Sequence, residues 1–477
     1  MNALLIVLAA LGGAGLLPAL VLARRSPVLV FLAPLIGACM AAVGAEFELG
    51  VGGSLRTCFI AVAAAVNTIA VVWWLVAGRL RRWPSPPWWW SLVAVIVVLG
   101  ALTYPLLGLR GQLVGGRDPN TIWLTHALMI SGGHHQLLAA LRNPVYQFTN
   151  PDYPPLVPAA GALAFAYLGR GDLYVAIDMT EYLNAVALGV LATGIALAAR
   201  RAGVVANALA ILAGGAIAVV VGFAVAGRPG IDGYADLLWA AAAAAAIIWG
   251  LVLPQSPQAL VISWLCAVTA SLTKNEGLTT SLIIIVLVAL RYRPLRRPGW
   301  SQRQGRRVTV LRTARRWAER GALVAVPALP GLTWAWQIRG LGLHNAFFVT
   351  SGLESLSVRA SHAASGIAGH LTVAPVAFGV LIAGSLIMRA DRRRAGLANP
   401  AWLWLACLGS LLVIFGTYVF GGLEIDSWLQ ASVSRTTIFA QLLLYADLAV
   451  WLVLAADVAA ARARTAAATP AALPLPT

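Results

Sequence analysis

Lysine is almost absent from this chain: of 34 basic residues 33 are Arg, and Lys274 is the only Lys. Acids are scarce too, at 17, and 11% of the 477 residues are charged, against about 25% in soluble proteins. With 60% of the chain hydrophobic, that deficit excludes a water-soluble fold. The four cysteines, Cys39, Cys58, Cys266 and Cys407, lie singly in or beside apolar runs, so neither a zinc site nor a disulfide framework is indicated. No Walker-type or dinucleotide glycine motif stands out, which leaves ATP drive and a nicotinamide cofactor without support. A basic stretch ahead of the first apolar run is missing as well. The run ends instead at Arg24-Arg25, the pattern of a retained span rather than a cleaved signal peptide.

What the chain has is apolar length. Crossing about 30 Å of hydrocarbon takes about 20 apolar residues in a helix. Spans are predicted at 3–22, 28–45, 57–77, 88–108, 182–199, 204–226, 235–253, 258–273, 278–290, 321–338, 369–388, 400–420 and 436–456. The stretch 156–169 holds a Pro and two Gly and is too short to span comfortably, so a re-entrant or interfacial piece is expected there. In this thirteen-span layout 24 of the 34 basic residues fall in alternate loops, eleven of them between Arg291 and Arg320. The positive-inside rule makes that side cytoplasmic, with the N-terminus outside and the C-terminus inside. The net charge of +17 is therefore a membrane address and not a nucleic-acid footprint. The 291–320 loop reads as a topology determinant against anionic lipid headgroups. Residues 1–87 form a three-helix extension, and 88–477 the main membrane domain.

Polar chemistry gathers on the outer side, above all in the loop 109–155. Arg117-Asp118-Pro119-Asn120 follows the fourth span. Asp118 reads either as an ordinary N-cap ahead of Pro119 or as a carboxylate at the membrane boundary, placed to take a proton. Ile122, Trp123, Ala127 and Ile130 make an apolar stripe, which suggests a helix lying on the membrane surface. His134-His135 and Asp152-Tyr153-Pro154-Pro155 follow. Thr273-Lys274-Asn275-Glu276-Gly277 interrupts a long apolar stretch. A Lys at mid-bilayer costs about 2.5–3.5 kcal/mol, so the pentad is expected as a turn joining two helices at the outer surface. Arg435 opens the last span from the same face, either snorkelling or binding. Asp447, inside that span, reads as an interhelical hydrogen-bond partner.

The order Asp118…Ile122-Trp123, Asp152-Tyr153-Pro154-Pro155-Leu156, Gly233-Tyr234-Ala235-Asp236, Leu272-Thr273-Lys274-Asn275-Glu276-Gly277 and Ser434-Arg435 resembles bacterial multispanning glycosyltransferases of the GT-C type. The branch related to protein O-mannosyltransferases and lipid A aminoarabinose transferases is the most similar. The resemblance runs from about residue 88 to the end. It implies an all-α, GT-C-like polytopic enzyme of the bacterial plasma membrane with its active site facing outward. Such an enzyme takes a polyprenyl-phosphate sugar as donor and passes the sugar, with inversion, to an extracytoplasmic glycan, lipid or protein. It implies Asp118 as the catalytic acid residue of the outer loop and Lys274 as the basic residue of the Thr-Lys turn. Many members carry two neighbouring acids in that loop; here Arg117 and Asn120 flank Asp118, and the second candidate, Asp152, is distant. Lys274 and Arg435 suit the donor phosphate. Asp152, Tyr153, His134, His135, Asp236 and Glu276 are candidates for substrate contacts, as is Asp232. No cofactor is predicted; a divalent metal is left open, since the spacing of acids and histidines prescribes no site. A flippase for lipid-linked saccharides and an inactive assembly factor on the same scaffold are the competing functions.

Overall fold

The computed structural model describes residues 2–23, 31–78, 118–199, 233–292, 306–343, 355–371, 374–394 and 396–468. These residues are helical throughout, without a strand among them. Helices occupy the described parts of the other predicted spans, but 369–388 takes in the end of one helix, at His370, and a second, Ala374–Ile387. The spans expected at 88–108 and 204–226 lie outside the described residues, as do Arg117 and Asp232.

Three helices open the chain: α1 (Asn2–Ala23), α2 (Ala33–Val51) and α3 (Leu55–Gly78). After a π-helical turn, Pro119–Leu124, come α4 (Thr125–Ser131) and α5 (His134–Arg142), then a 3-10 turn, Pro144–Thr149. Next are α6 (Leu156–Leu168), α7 (Leu173–Ala199), α8 (Asp236–Ile247, continued by a π segment to Val252), α9 (Pro257–Ser271) and α10 (Asn275–Arg291). The remainder is α11 (Arg306–Gly340), α12 (Leu356–His370), α13 (Ala374–Ile387), α14 (Arg389–Arg394), α15 (Ala401–Phe420), α16 (Ile425–Thr436) and α17 (Ile438–Ala468). Among the described residues six stretches are long and apolar enough to cross a membrane: Ala3–Leu22, Ala33–Val51, Leu55–Val76, Leu173–Ala198, Ala401–Phe420 and Ile425–Ala463. The fold is that of a helical membrane protein.

The centre of the bundle is α8. Its sequence, Asp-Leu-Leu-Trp followed by seven Ala and Ile, is buried along its whole length. Alanine lets neighbouring backbones approach closely, which is how helices associate where no hydrophobic force separates them from lipid. Glycine does the same at α1–α2, where a Cβ on Gly15 would meet the Ala33 carbonyl oxygen at 2.0 Å and one on Gly37 the Leu11 oxygen at 2.2 Å.

Three expectations change. The 13-residue α6 is buried from Leu156 to Phe165 and packs among α2, α4 and α7; it is a short core helix, not an interfacial one. The stripe of Ile122, Trp123, Ala127 and Ile130 is likewise buried and faces α6 rather than lipid, with the Ala127 Cβ in the space a side chain on Gly161 would need. Finally, α2 runs past the predicted end at 45. Its last turns are held by protein contacts: Gln337 donates to the Glu46 carbonyl at 3.0 Å, and His134 Nδ1 lies 2.7 Å from the Glu48 carbonyl oxygen.

Candidate functional site

The pentad Thr273-Lys274-Asn275-Glu276-Gly277 forms the turn between α9 and α10. Lys274 takes the N-cap position of α10 in an extended conformation. Gly277 is required by that hairpin, because a Cβ there would lie 2.0 Å from the Ala270 carbonyl oxygen. The turn is tied to the start of α6 by Leu156 N–H donating to Leu272 O at 2.8 Å. Lys274 does not reach out to water. It is 4% exposed and donates to Asp236 Oδ1 at 2.8 Å, with Glu276 Oε1 at 3.9 Å. Burial alone would depress the ammonium's pKa, but the Asp236 and Glu276 carboxylates outweigh it and hold the pKa above its ordinary value.

Asp236 opens α8, where the helix dipole favours a carboxylate. At 1% exposure it is shared between two cations: its Oδ2 lies 3.5 Å from Arg435 Nη1. Arg435, near the end of α16, also donates to Asp118 Oδ2 and stands over the Tyr234 ring, 5.4 Å from its centre. Asp118 does stand at the N-cap position with Pro119 after it, but its side chain does not cap. The residue is itself helical and makes no capping hydrogen bond; its carboxylate turns to Arg435 instead. Asp118, Arg435, Asp236, Lys274 and Glu276 thus form one chain of alternating charge, drawn from four parts of the sequence.

Tyr153 forms the floor beside Lys274. Its ring lies 5.5 Å from Nζ and stacks on Trp123 at 5.5 Å, and burial pushes its hydroxyl pKa up. Asp152 stands behind this layer and accepts from Asn275 Nδ2 at 2.6 Å, while Trp334 of α11 donates to its carbonyl at 3.1 Å. Asp152 therefore braces the Lys274 turn.

The charge chain and Tyr153 line a cavity of about 720 Å³, whereas Asp152 is not part of its lining. One wall is polar, with Asp118, Asp236, Lys274, Glu276 and Arg435; another, between α10 and α15, is apolar, with Leu278, Val413 and Ile414. Gln147, Phe148 and Asn150 supply a third side from the 3-10 turn. His134 and His135 are not among its lining: His134 contacts the end of α2, and the two rings meet edge to face. Tyr418, which bridges Ser432 and Thr436 at 2.8 and 3.1 Å, and Trp428 also line the cavity. Nothing in their local sequence marks them. Among the described residues no three His, Cys, Asp or Glu side chains are grouped as metal ligands.

Chemically, the cavity offers a carboxylate next to two cations, with an apolar flank. Lys274 has three N–H donors, of which Asp236 occupies one at hydrogen-bond distance while Glu276 stands farther off at 3.9 Å. Comparison with protein-family models, curated proteins and solved structures finds no match for this chain.

Proposed function

We propose that this chain is an inverting glycosyltransferase that moves a sugar from a polyprenyl-phosphate donor to an extracytoplasmic glycan, lipid or protein. One observation carries the reading: Asp118, Lys274 and Arg435 line a single cavity with an apolar wall suited to a lipid-borne donor. In the proposed reaction the Asp118 carboxylate takes the proton of the acceptor hydroxyl, whose oxygen attacks the anomeric carbon. The bond from that carbon to the phosphate oxygen breaks, and its electron pair leaves with the polyprenyl phosphate. Lys274 and Arg435 neutralise the charge that develops there, and the guanidinium suits bidentate phosphate contact. Arg435 pairs with Asp118, so in this proposal a phosphate that takes over the guanidinium also releases the base. The proposal includes thirteen spans, the arginine-rich side inward and the cavity facing outward.

Purified protein in nanodiscs, given polyprenyl-phosphate sugars and candidate acceptors, tests the reading. Asp118→Asn is expected to lose about 10²–10⁴-fold in kcat, the usual contribution of general-base help, with the donor KM unchanged or lower. Undiminished transfer by that variant removes Asp118 from the base role. Movement of a labelled lipid-linked sugar across vesicles by the wild type, without any transfer, overturns the enzyme reading in favour of a transporter.

A further inference from the structure

A second cavity, of about 530 Å³, lies at the opposite end of α9. Ala259 on its wall and Lys274 are 15 residues apart, about 22 Å along a helix. Its walls come from α1, α3 and α9, among them Leu22, Ala70 and Trp264. Ile69 and Trp73 of α3 also line it while 66% and 52% exposed, so the cavity opens sideways onto the lipid-facing surface of α3. An apolar cavity does not fill with water; one that is open to hydrocarbon takes up hydrocarbon.

One side of this cavity is different in character. Gly250, Gln255 and Tyr292 line it there, and Arg291, next in the chain to Tyr292 and outside the lining itself, is bonded beside them. Arg291 donates to the carbonyls of Gly250 at 2.6 Å and Leu253 at 2.8 Å, and its own carbonyl accepts from Gln255 at 2.7 Å. These partners are neutral, and among the described residues no carboxylate pairs with the half-buried guanidinium. Two of its five N–H groups are used by carbonyls; the rest remain for an acceptor. This side lies at the end of the bundle where α1 stops at Ala23 and α10 at Arg291. An apolar trough beside a cation that pairs with no described carboxylate is complementary to an anionic amphiphile.

We infer that this cavity is a binding site for an anionic phospholipid of the leaflet on the arginine-rich side, its acyl chain between α3 and α9 and its phosphodiester at Arg291. The site is separate from the Lys274 cavity and does not depend on the reading proposed for it.

The test uses the full chain, purified in mild detergent after exposure to phosphatidylglycerol and phosphatidylcholine in equal amounts. Native mass spectrometry counts the lipids that survive delipidation. One phosphatidylglycerol per chain is expected, preferred over phosphatidylcholine about fivefold, the preference one basic residue confers near a membrane surface. Arg291→Gln keeps a lipid but loses the preference, and Arg291→Lys restores it. Ala70→Phe, which fills the cavity from α3, reduces the retained lipid at least about tenfold; Ala259→Phe makes the same block from α9 should the first variant fail to accumulate. Equal retention of the two lipids by the wild type overturns the inference. So does undiminished retention in a filled variant, or recovery of a polyprenyl phosphate in place of the phospholipid.

Discussion

At the scale of single residues, the most deeply buried ion pairs among the described residues join partners remote in sequence. Asp236 and Lys274 are the sharpest case, since neither charge is exposed beyond 4%. Removing one member of a buried pair strands the other and costs about 3–5 kcal/mol, whereas replacing both by apolar groups is often close to neutral. Asp236→Leu is therefore expected to lower the temperature at which the protein leaves its monodisperse peak in size-exclusion chromatography. Adding Lys274→Met restores that temperature without restoring transfer. Recovery of both together would place the pair outside the chemistry. Arg392 and Asp447, 2.7 Å apart and each 1% exposed, make a second such pair at the arginine-rich end. Asp447 reads from sequence as an interhelical partner, but which helix it meets emerges only from the packing.

His126 supplies the pH dependence. Its Nε2 lies 3.0 Å from Thr149 Oγ1, and that hydroxyl already donates to Tyr146 O at 2.7 Å. The ring must then donate through Nε2, as the neutral tautomer does. Burial pulls its pKa down to about 4. The unfolded chain takes up the proton first, so stability is present above about pH 6.5 and declines as pH falls toward 4, by up to about 3 kcal/mol. His126→Gln is expected to flatten thermal stability between pH 7 and pH 4.5. An unchanged slope in that variant assigns the acid sensitivity to other groups.

At the scale of elements, the α9–α10 hairpin decides where Lys274 points. The sequence marks the pentad as a turn, because a Lys at mid-bilayer is costly, and the structure has a turn there. The structure adds that Lys274 is buried against Asp236 of α8, with α10 brought close to the Ala270 carbonyl at Gly277. Gly277→Ala forces those backbones apart. It is expected to reduce transfer at least about tenfold by moving Lys274, since misplacement of about 1 Å costs about 10²-fold. Kinetics with the donor varied measure this. Wild-type kinetics in the variant would mean that the hairpin position is immaterial. The outer helices α4 and α6 teach a related point. Their apolar faces are legible, yet periodicity does not distinguish a face that meets lipid from one that meets protein.

At the scale of the whole molecule, charge asymmetry proposes an orientation that α6 puts to the test. Thirteen residues of α6 rise about 20 Å, short of the hydrocarbon thickness. Arg170, exposed just beyond it, then lies on the side of the Lys274 turn. Arg394, also exposed, lies on the arginine-rich side. Cysteine introduced at Arg170 is expected to react with a membrane-impermeant maleimide in intact cells, and cysteine at Arg394 only after permeabilisation. The reverse pattern inverts the orientation; labelling of both alike removes the spanning model. Cys39, Cys266 and Cys407 are buried, so the background in this experiment comes chiefly from Cys58.

Composition and apolar run length by themselves determined that this is a helical membrane protein, because a chain this poor in charge satisfies its backbone in lipid only through helices. Local chemistry also marked Asp118, Lys274 and Arg435 as polar groups out of place. Their common cavity was not legible, since it depends on how α8, the α9–α10 turn and α16 meet. Nor was the separation of His134 and His135 from that cavity, or the role of Asp152 as a brace. Run length depends on each segment's own transfer free energy, whereas convergence depends on helix crossings set by alanine and glycine contacts between segments far apart in the chain. Only the tertiary structure decided that.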